Sequence, residues 1–102
     1  MAVTFRLDSG VEAHAEFPET FDIPSASDRE SLGEGDLAKL ILRFTDGNRE
    51  FVERMWVRIQ DVQPHCYVGI LDNDAFGTDQ IRAGMRVEFN ADHVIQIQRD
   101  AS

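Results

Sequence analysis

The chain has 102 residues, 42% of them hydrophobic, with 19 acidic side chains against 10 basic ones and a formal net charge of −9. That is the size of one ordinary domain with enough apolar material for a core, which excludes a disordered chain. The negative field opposes binding to nucleic acid and to anionic membrane surfaces, and it favours a basic protein partner.

Val3, Phe5 and Leu7 alternate with Thr4, Arg6 and Asp8. Beyond Ser9-Gly10, Val11, Ala13, Ala15 and Phe17 alternate with Glu12, His14 and Glu16. Period two on both sides of a Ser-Gly step predicts a β-hairpin. A short helix competes with it, because Ser9 and Glu12 have capping-box spacing and Pro18 would end it after Phe17. The irregular stretch from Pro18 to Gly35 is expected to cross the fold, anchored by Phe21 and Ile23. Ser27 and Glu30 are spaced to cap one helical turn through Leu32.

Ala38 to Phe44 reads as a strand with Ala38, Leu40, Leu42 and Phe44 on one face and Lys39, Ile41 and Arg43 on the other. Asp46-Gly47-Asn48 marks a turn. The chain returns through Arg54 to Val62, with Met55, Val57 and Ile59 on one face and Arg54, Trp56 and Arg58 on the other. Gln63-Pro64 turns into a strand from His65 to Leu71, and Asp72 to Ala83 is a polar excursion. Strands at Met85–Asn90 and Val94–Gln98 follow, with Val87, Phe89, Ile95 and Ile97 inward. The segments from Leu32 to Leu40 and from Ile81 to Phe89 each read as apolar anchor, glycine corner and strand. That pattern asks for positive φ at Gly35 and Gly84. Seven or so short strands and no long amphipathic helix predict one mainly β domain over residues 1–102. Its form is a small curled sheet or SH3-like barrel with one or two short helical turns.

Little in the sequence carries recognisable chemistry. His14, His65, Cys66 and His93 lack zinc-site spacing, so no metal is expected. Asp72-Asn73-Asp74-Ala75-Phe76-Gly77 begins like a calcium loop but has Phe76 and Ala83 where oxygen ligands are required. It reads instead as a wide turn whose Asp and Asn side chains bind backbone amides. Cys66 excludes an internal disulfide, fits a reducing compartment, and groups by alternation with Val68 and Ile70 as a buried, unreactive thiol. No nucleophile elbow or phosphate-cradling loop is present, so no catalytic residue and no cofactor are expected. No apolar run approaches bilayer length and no secretory leader is seen, which points to the cytoplasm.

The most suggestive group is Arg54, Trp56 and Arg58, residue types enriched at binding hot spots. Either this face is exposed as a contact patch, or Trp56 is covered by the Pro18–Gly35 segment, with Ile41 on the neighbouring strand favouring cover. Asn73 and Asp74 join these three as candidate binding residues on the rim of the excursion.

Glu53-Arg54-Met55-Trp56-Val57-Arg58-Ile59, then Gly69-Ile70-Leu71-Asp72-Asn73, then Gly84-Met85-Arg86-Val87-Glu88-Phe89 and His93-Val94-Ile95 follow an order that resembles the bacterial family of domain of unknown function 2314 (DUF2314). The likeness covers mainly Gly35 to Ile97, and the chain departs from it at Ala75, where members often carry proline. The resemblance implies a small bacterial cytosolic domain and brings no catalytic residue with it. The expected function is a non-enzymatic acidic protein-interaction module of adaptor or inhibitor type. The alternative is a small-ligand-binding domain or enzyme with a pocket rimmed by the Asp72–Asp79 loop.

Overall fold

The computed structural model describes residues 2–100. In chain order the elements are β1 (Thr4–Asp8), α1 (Gly10–Glu16), α2 (Ala26–Arg29), β2 (Leu37–Asp46), β3 (Arg49–Val62), β4 (Tyr67–Leu71), β5 (Arg86–Phe89), a 3-10 turn (Ala91–His93) and β6 (Gln96–Gln98). They form one antiparallel sheet in the order β1-β2-β3-β4-β5, with β6 beside β2. The sheet curls into a half-barrel flanked by two short helices, as expected for the class. Six strands among the described residues replace the seven or so anticipated, because residues 10–16, expected as the second arm of a hairpin, form α1.

The β2–β3 hairpin is the spine. Its register runs from Asp46↔Arg49 to Leu37↔Arg58. Gly47 takes φ 61° at the first position of the two-residue turn, where a tight hairpin needs a positive value. Along β2, β1 covers Ile41–Thr45 and β6 covers Leu37–Lys39. A register shift between Ile59 and Asp61 in β3 bends the sheet toward β4. The concave face buries Leu40, Leu42, Phe44, Met55, Val57, Ile59, Tyr67, Leu71, Val87 and Phe89, as the alternation in β2, β3 and β5 predicts. Each such side chain contributes roughly 1.5–3 kcal/mol by leaving water.

The two glycine corners are built alike. Gly35 (φ 88°) and Gly84 (φ 93°) sit third in turns closed by Asp36 N–H to Gly33 O and by Met85 N–H to Arg82 O. Gly35 donates to Ile59 O while Ile59 donates to Asp36 O. Gly84 donates to Leu71 O while Leu71 donates to Met85 O. Leu32 and Ile81, the apolar anchors ahead of each corner, are both buried.

Two buried polar groups fasten the connections. Arg29 donates to Pro24 O and Ala91 O, both at 2.9 Å, and Tyr67 donates its hydroxyl to Arg29 O at 2.8 Å. Asp36 accepts from the amides of Gly33 (2.9 Å) and Asp100 (2.8 Å) and from Arg99 Nη1 (3.2 Å). Burial pushes the Asp36 carboxyl up, but these donors outweigh it and hold the group below the usual range.

Four local expectations are corrected. Residues 10–16 form α1, not the second arm of a hairpin. Ser9 caps it by accepting from Glu12 N–H at 3.1 Å, and Gly10 is buried against Ile95 so closely that a Cβ would lie 2.7 Å from Ile95 Cγ2. Ala13, Ala15 and the two glutamates are also good helix formers. The next helical turn is capped by Ser25 with Asp28, two residues earlier than Ser27 with Glu30. In β4 the core face is Tyr67 and Leu71. Cys66 falls in the turn closed by Gln63 N–H to Cys66 O, and it is half-exposed, not buried. At the last strand, the 3-10 turn drives Val94 into the core, leaving Ile95 buried beside Gly10 and Ile97 only partly covered. No helix among the described residues is long and apolar enough to cross a membrane.

Candidate functional site

The excursion between β4 and β5 is pinned at successive points. Asp72 N–H donates to Trp56 O at 2.9 Å and Trp56 N–H donates to Asn73 Oδ1 at 3.4 Å, extending the β3 edge. Asp74 Oδ1 accepts from Ala83 N–H at 2.8 Å, and Ala75 N–H donates to Ile81 O at 3.0 Å, which closes the loop on itself. At the tip, the two carboxylate oxygens of Glu53 accept from Phe76 N–H and Gly77 N–H, each at 2.8 Å. Arg49 Nη2 donates to Gly77 O at 2.8 Å. Gly77 lies flat on the Phe51 ring, where a Cβ would come within 2.4 Å of a ring carbon. Phe51 is itself stacked on Phe44, with centroids 5.0 Å apart, and capped by the Arg49 guanidinium.

The result is a fixed loop whose tip turns Phe76 outward with 97% of its surface exposed. Asp72, Asp74 and Asp79 are exposed in the same loop. A shallow cavity of about 260 Å³ lies among Asp74, Ala75, Phe76, Thr78, Asp79 and Arg82. A larger open groove, about 550 Å³, lies at the other end of β4 beside Val62, His65, Cys66 and Asp92. The Cys66 thiol there donates to Gln63 Oε1 at 3.4 Å.

Arg54, Trp56 and Arg58 share the convex face, as their alternation with Met55, Val57 and Ile59 requires. Trp56 is half-buried, so neither alternative for it holds in full. Lys39 Nζ lies 5.4 Å from its ring centroid. The Pro18–Gly35 segment does reach this face, but at Arg54, whose guanidinium lies 5.1 Å from the Phe21 ring centroid. Arg58 donates to Gly35 O at 3.1 Å and pairs with Asp72 at 3.6 Å, tying one glycine corner to the start of the loop. Asn73 and Asp74 spend hydrogen bonds on holding the loop, as turn residues do.

Glu53, Phe76 and Lys39 were missing from the sequence-derived set. Glu53 had a signal: an acid two residues before Met55, on the inward face, has to find donors of its own. Lys39 also had one, because a hairpin counted back from Gly47 sets it opposite Trp56. Phe76 had none, since an aromatic residue in an aperiodic polar loop can point either way.

The histidines are spread out. His14 Nδ1 lies 2.6 Å from Phe21 O. His93 Nδ1 accepts from Asn90 N–H at 3.0 Å. No group of three or more His, Cys, Asp or Glu side chains among the described residues is gathered to hold a metal ion. No family model matches the chain, and neither does any curated protein or solved structure.

Proposed function

We propose that the chain is a protein-interaction module, of adaptor or inhibitor type, that docks a basic partner through the Phe76 loop. The observation that carries this reading is Phe76 itself: a fully exposed aromatic side chain on backbone already fixed by Glu53 and Arg49. Aromatic residues are enriched at interfaces, and a pre-ordered loop avoids the entropy cost of freezing on contact. The exposed Asp74 and Asp79 beside it, and the net charge of −9, steer a basic surface toward the anchor. The cavity inside the loop is smaller than the roughly 300–1,000 Å³ of sites that enclose a small molecule, which weighs against a ligand-binding or enzymatic pocket rimmed by the Asp72–Asp79 loop. The likeness to DUF2314 adds no activity that would change this choice.

Phe76→Ser tests the proposal without touching the fold, because the side chain buries almost nothing. Affinity capture with wild type and variant, at matched thermal midpoints, is expected to lose the basic partners from the variant. Retention of the same partners at the same strength removes Phe76 as the anchor, and the proposal with it.

A further inference from the structure

The convex face of the sheet gathers six of the ten basic side chains, together with the acids Asp8, Glu50 and Glu88. Strand register places Arg6, Lys39, Arg43, Arg54, Arg58 and Arg86 on this one side. Three of them are committed: Arg43 to Asp8 and Glu50, Arg58 to Asp72, and Arg86 to Glu88. Arg6, Lys39 and Arg54 form no ion pair among the described residues, in a chain with 19 acids for 10 bases. Lys39 and Arg54 stand instead over the Trp56 and Phe21 rings. Cross-strand pairing sets Lys39 beside Trp56, and Arg54 stands two residues before Trp56 on the same face, so two cations without an ion pair flank a half-buried indole, while Ile41, opposite Arg54, is itself buried.

We infer that this patch docks an acidic peptide segment of a partner protein, with carboxylates on Lys39 and Arg54 and an apolar side chain against Trp56. Charge complementarity selects the occupant: a basic surface is repelled here, which separates this site from the Phe76 loop on the concave end of the sheet. A screening length of about 8 Å at physiological salt lets the local cations act despite the net charge. An extended polynucleotide would run off a patch two strands wide onto acidic surface, so a short peptide is the favoured polyanion. The inference stands independently of the Phe76 reading. Together the two surfaces let one small chain bridge a basic and an acidic partner.

Trp56 is the only tryptophan, so its emission reports on this face alone. The probe is the fluorescein-labelled hexapeptide Asp-Glu-Phe-Glu-Asp-Glu, followed by Trp emission and by peptide anisotropy. Its lysine-for-acid counterpart and an oligothymidylate of equal charge serve as controls. Saturable binding of the acidic peptide is expected. Arg54→Glu, at an exposed position, and Lys39→Glu should each weaken it at least tenfold, while Phe76→Ser should leave it unchanged. Circular dichroism confirms that each variant is folded, and Arg54→Gln serves as the milder replacement for any that is not. No saturable binding, binding indifferent to charge reversal in folded variants, or tighter binding of the oligonucleotide overturns the inference.

Discussion

Replacing Glu53 by glutamine attacks the clasp that fixes Phe76. The wild-type carboxylate receives two amide hydrogen bonds at 2.8 Å, from Phe76 and Gly77. Glutamine keeps one acceptor and turns an NH₂ group toward the second amide, so one charge-assisted bond becomes a donor–donor contact. Hydrogen bonds to charged groups contribute about 1.5–3 kcal/mol, and the solvent access of this site selects the low end, near 1.5 kcal/mol. Arg49 still holds Gly77 O, and Asp74 still holds Ala83 N–H, so the cost falls on local opening of the tip and not on the core. Local opening made easier by that amount speeds exchange of the two amide protons roughly tenfold. Native-state hydrogen exchange by NMR reads this directly, with the Ala83 and Leu40 amides as internal references. Unchanged rates at Phe76 and Gly77, or equal acceleration at all four amides, would refute the clasp. The variant should also bind the Phe76-dependent partner more weakly, because binding then has to order the tip.

Gly69→Ala is expected to cost about 1–3 kcal/mol in urea unfolding, since its Cβ would lie 2.4 Å from Val57 Cγ1 and 2.7 Å from Arg58 O. Adding Val57→Ala relieves only the side-chain clash, so the clash component of the Gly69→Ala penalty should shrink without vanishing in a double-mutant cycle. Asp36 binds its proton less readily when folded, its donors outweighing burial. Its contribution is therefore complete above the ordinary carboxylate pKa of 3.8 and lost as pH falls through the lower folded value. Asp36→Asn should flatten that acid limb of the stability curve, and an identical limb in the variant counts against a stabilising role for the Asp36 carboxylate and its three donors. Burial lowers the His93 pKa against the opposing pull of Asp92, so the neutral ring is favoured in the fold. Stability from this source is present above the ordinary value of 6.5 and declines as pH drops toward the folded value. A His93→Gln variant should show less decline between pH 7 and 5 by urea midpoint.

The sheet was legible where one periodicity acted alone. Leu40, Leu42, Phe44, Met55, Val57 and Ile59 alternate without a competing pattern, and Gly47 sets the register between them. Gly35 and Gly84 were legible because a turn leading into a strand needs a residue tolerant of positive φ. Residues 9–17 satisfied two patterns at once. The contact of Gly10 with Ile95, far along the chain, accompanies the helix and is invisible in local alternation. Cys66 was misplaced because the turn runs from Gln63 to Cys66, two residues beyond Pro64, so that β4 begins at Tyr67. Of the candidate site, the face of Trp56 could be read and its neighbours counted. The exposure of Phe76 depends on backbone held by side chains from another strand, which no period encodes.

Because the half-barrel never closes, β1 and β5 each leave a row of backbone donors and acceptors facing outward, an invitation for another molecule to zip on. Both margins discourage it. The β5 margin is four residues long and carries Arg86 and Glu88 locked to each other at 2.8 Å, while β1 is five residues long and carries the exposed Arg6 on its convex face. A second copy approaching edge-on has to strip water from those charges before gaining a single ladder bond. These charges oppose polymerisation through the β1 and β5 edges.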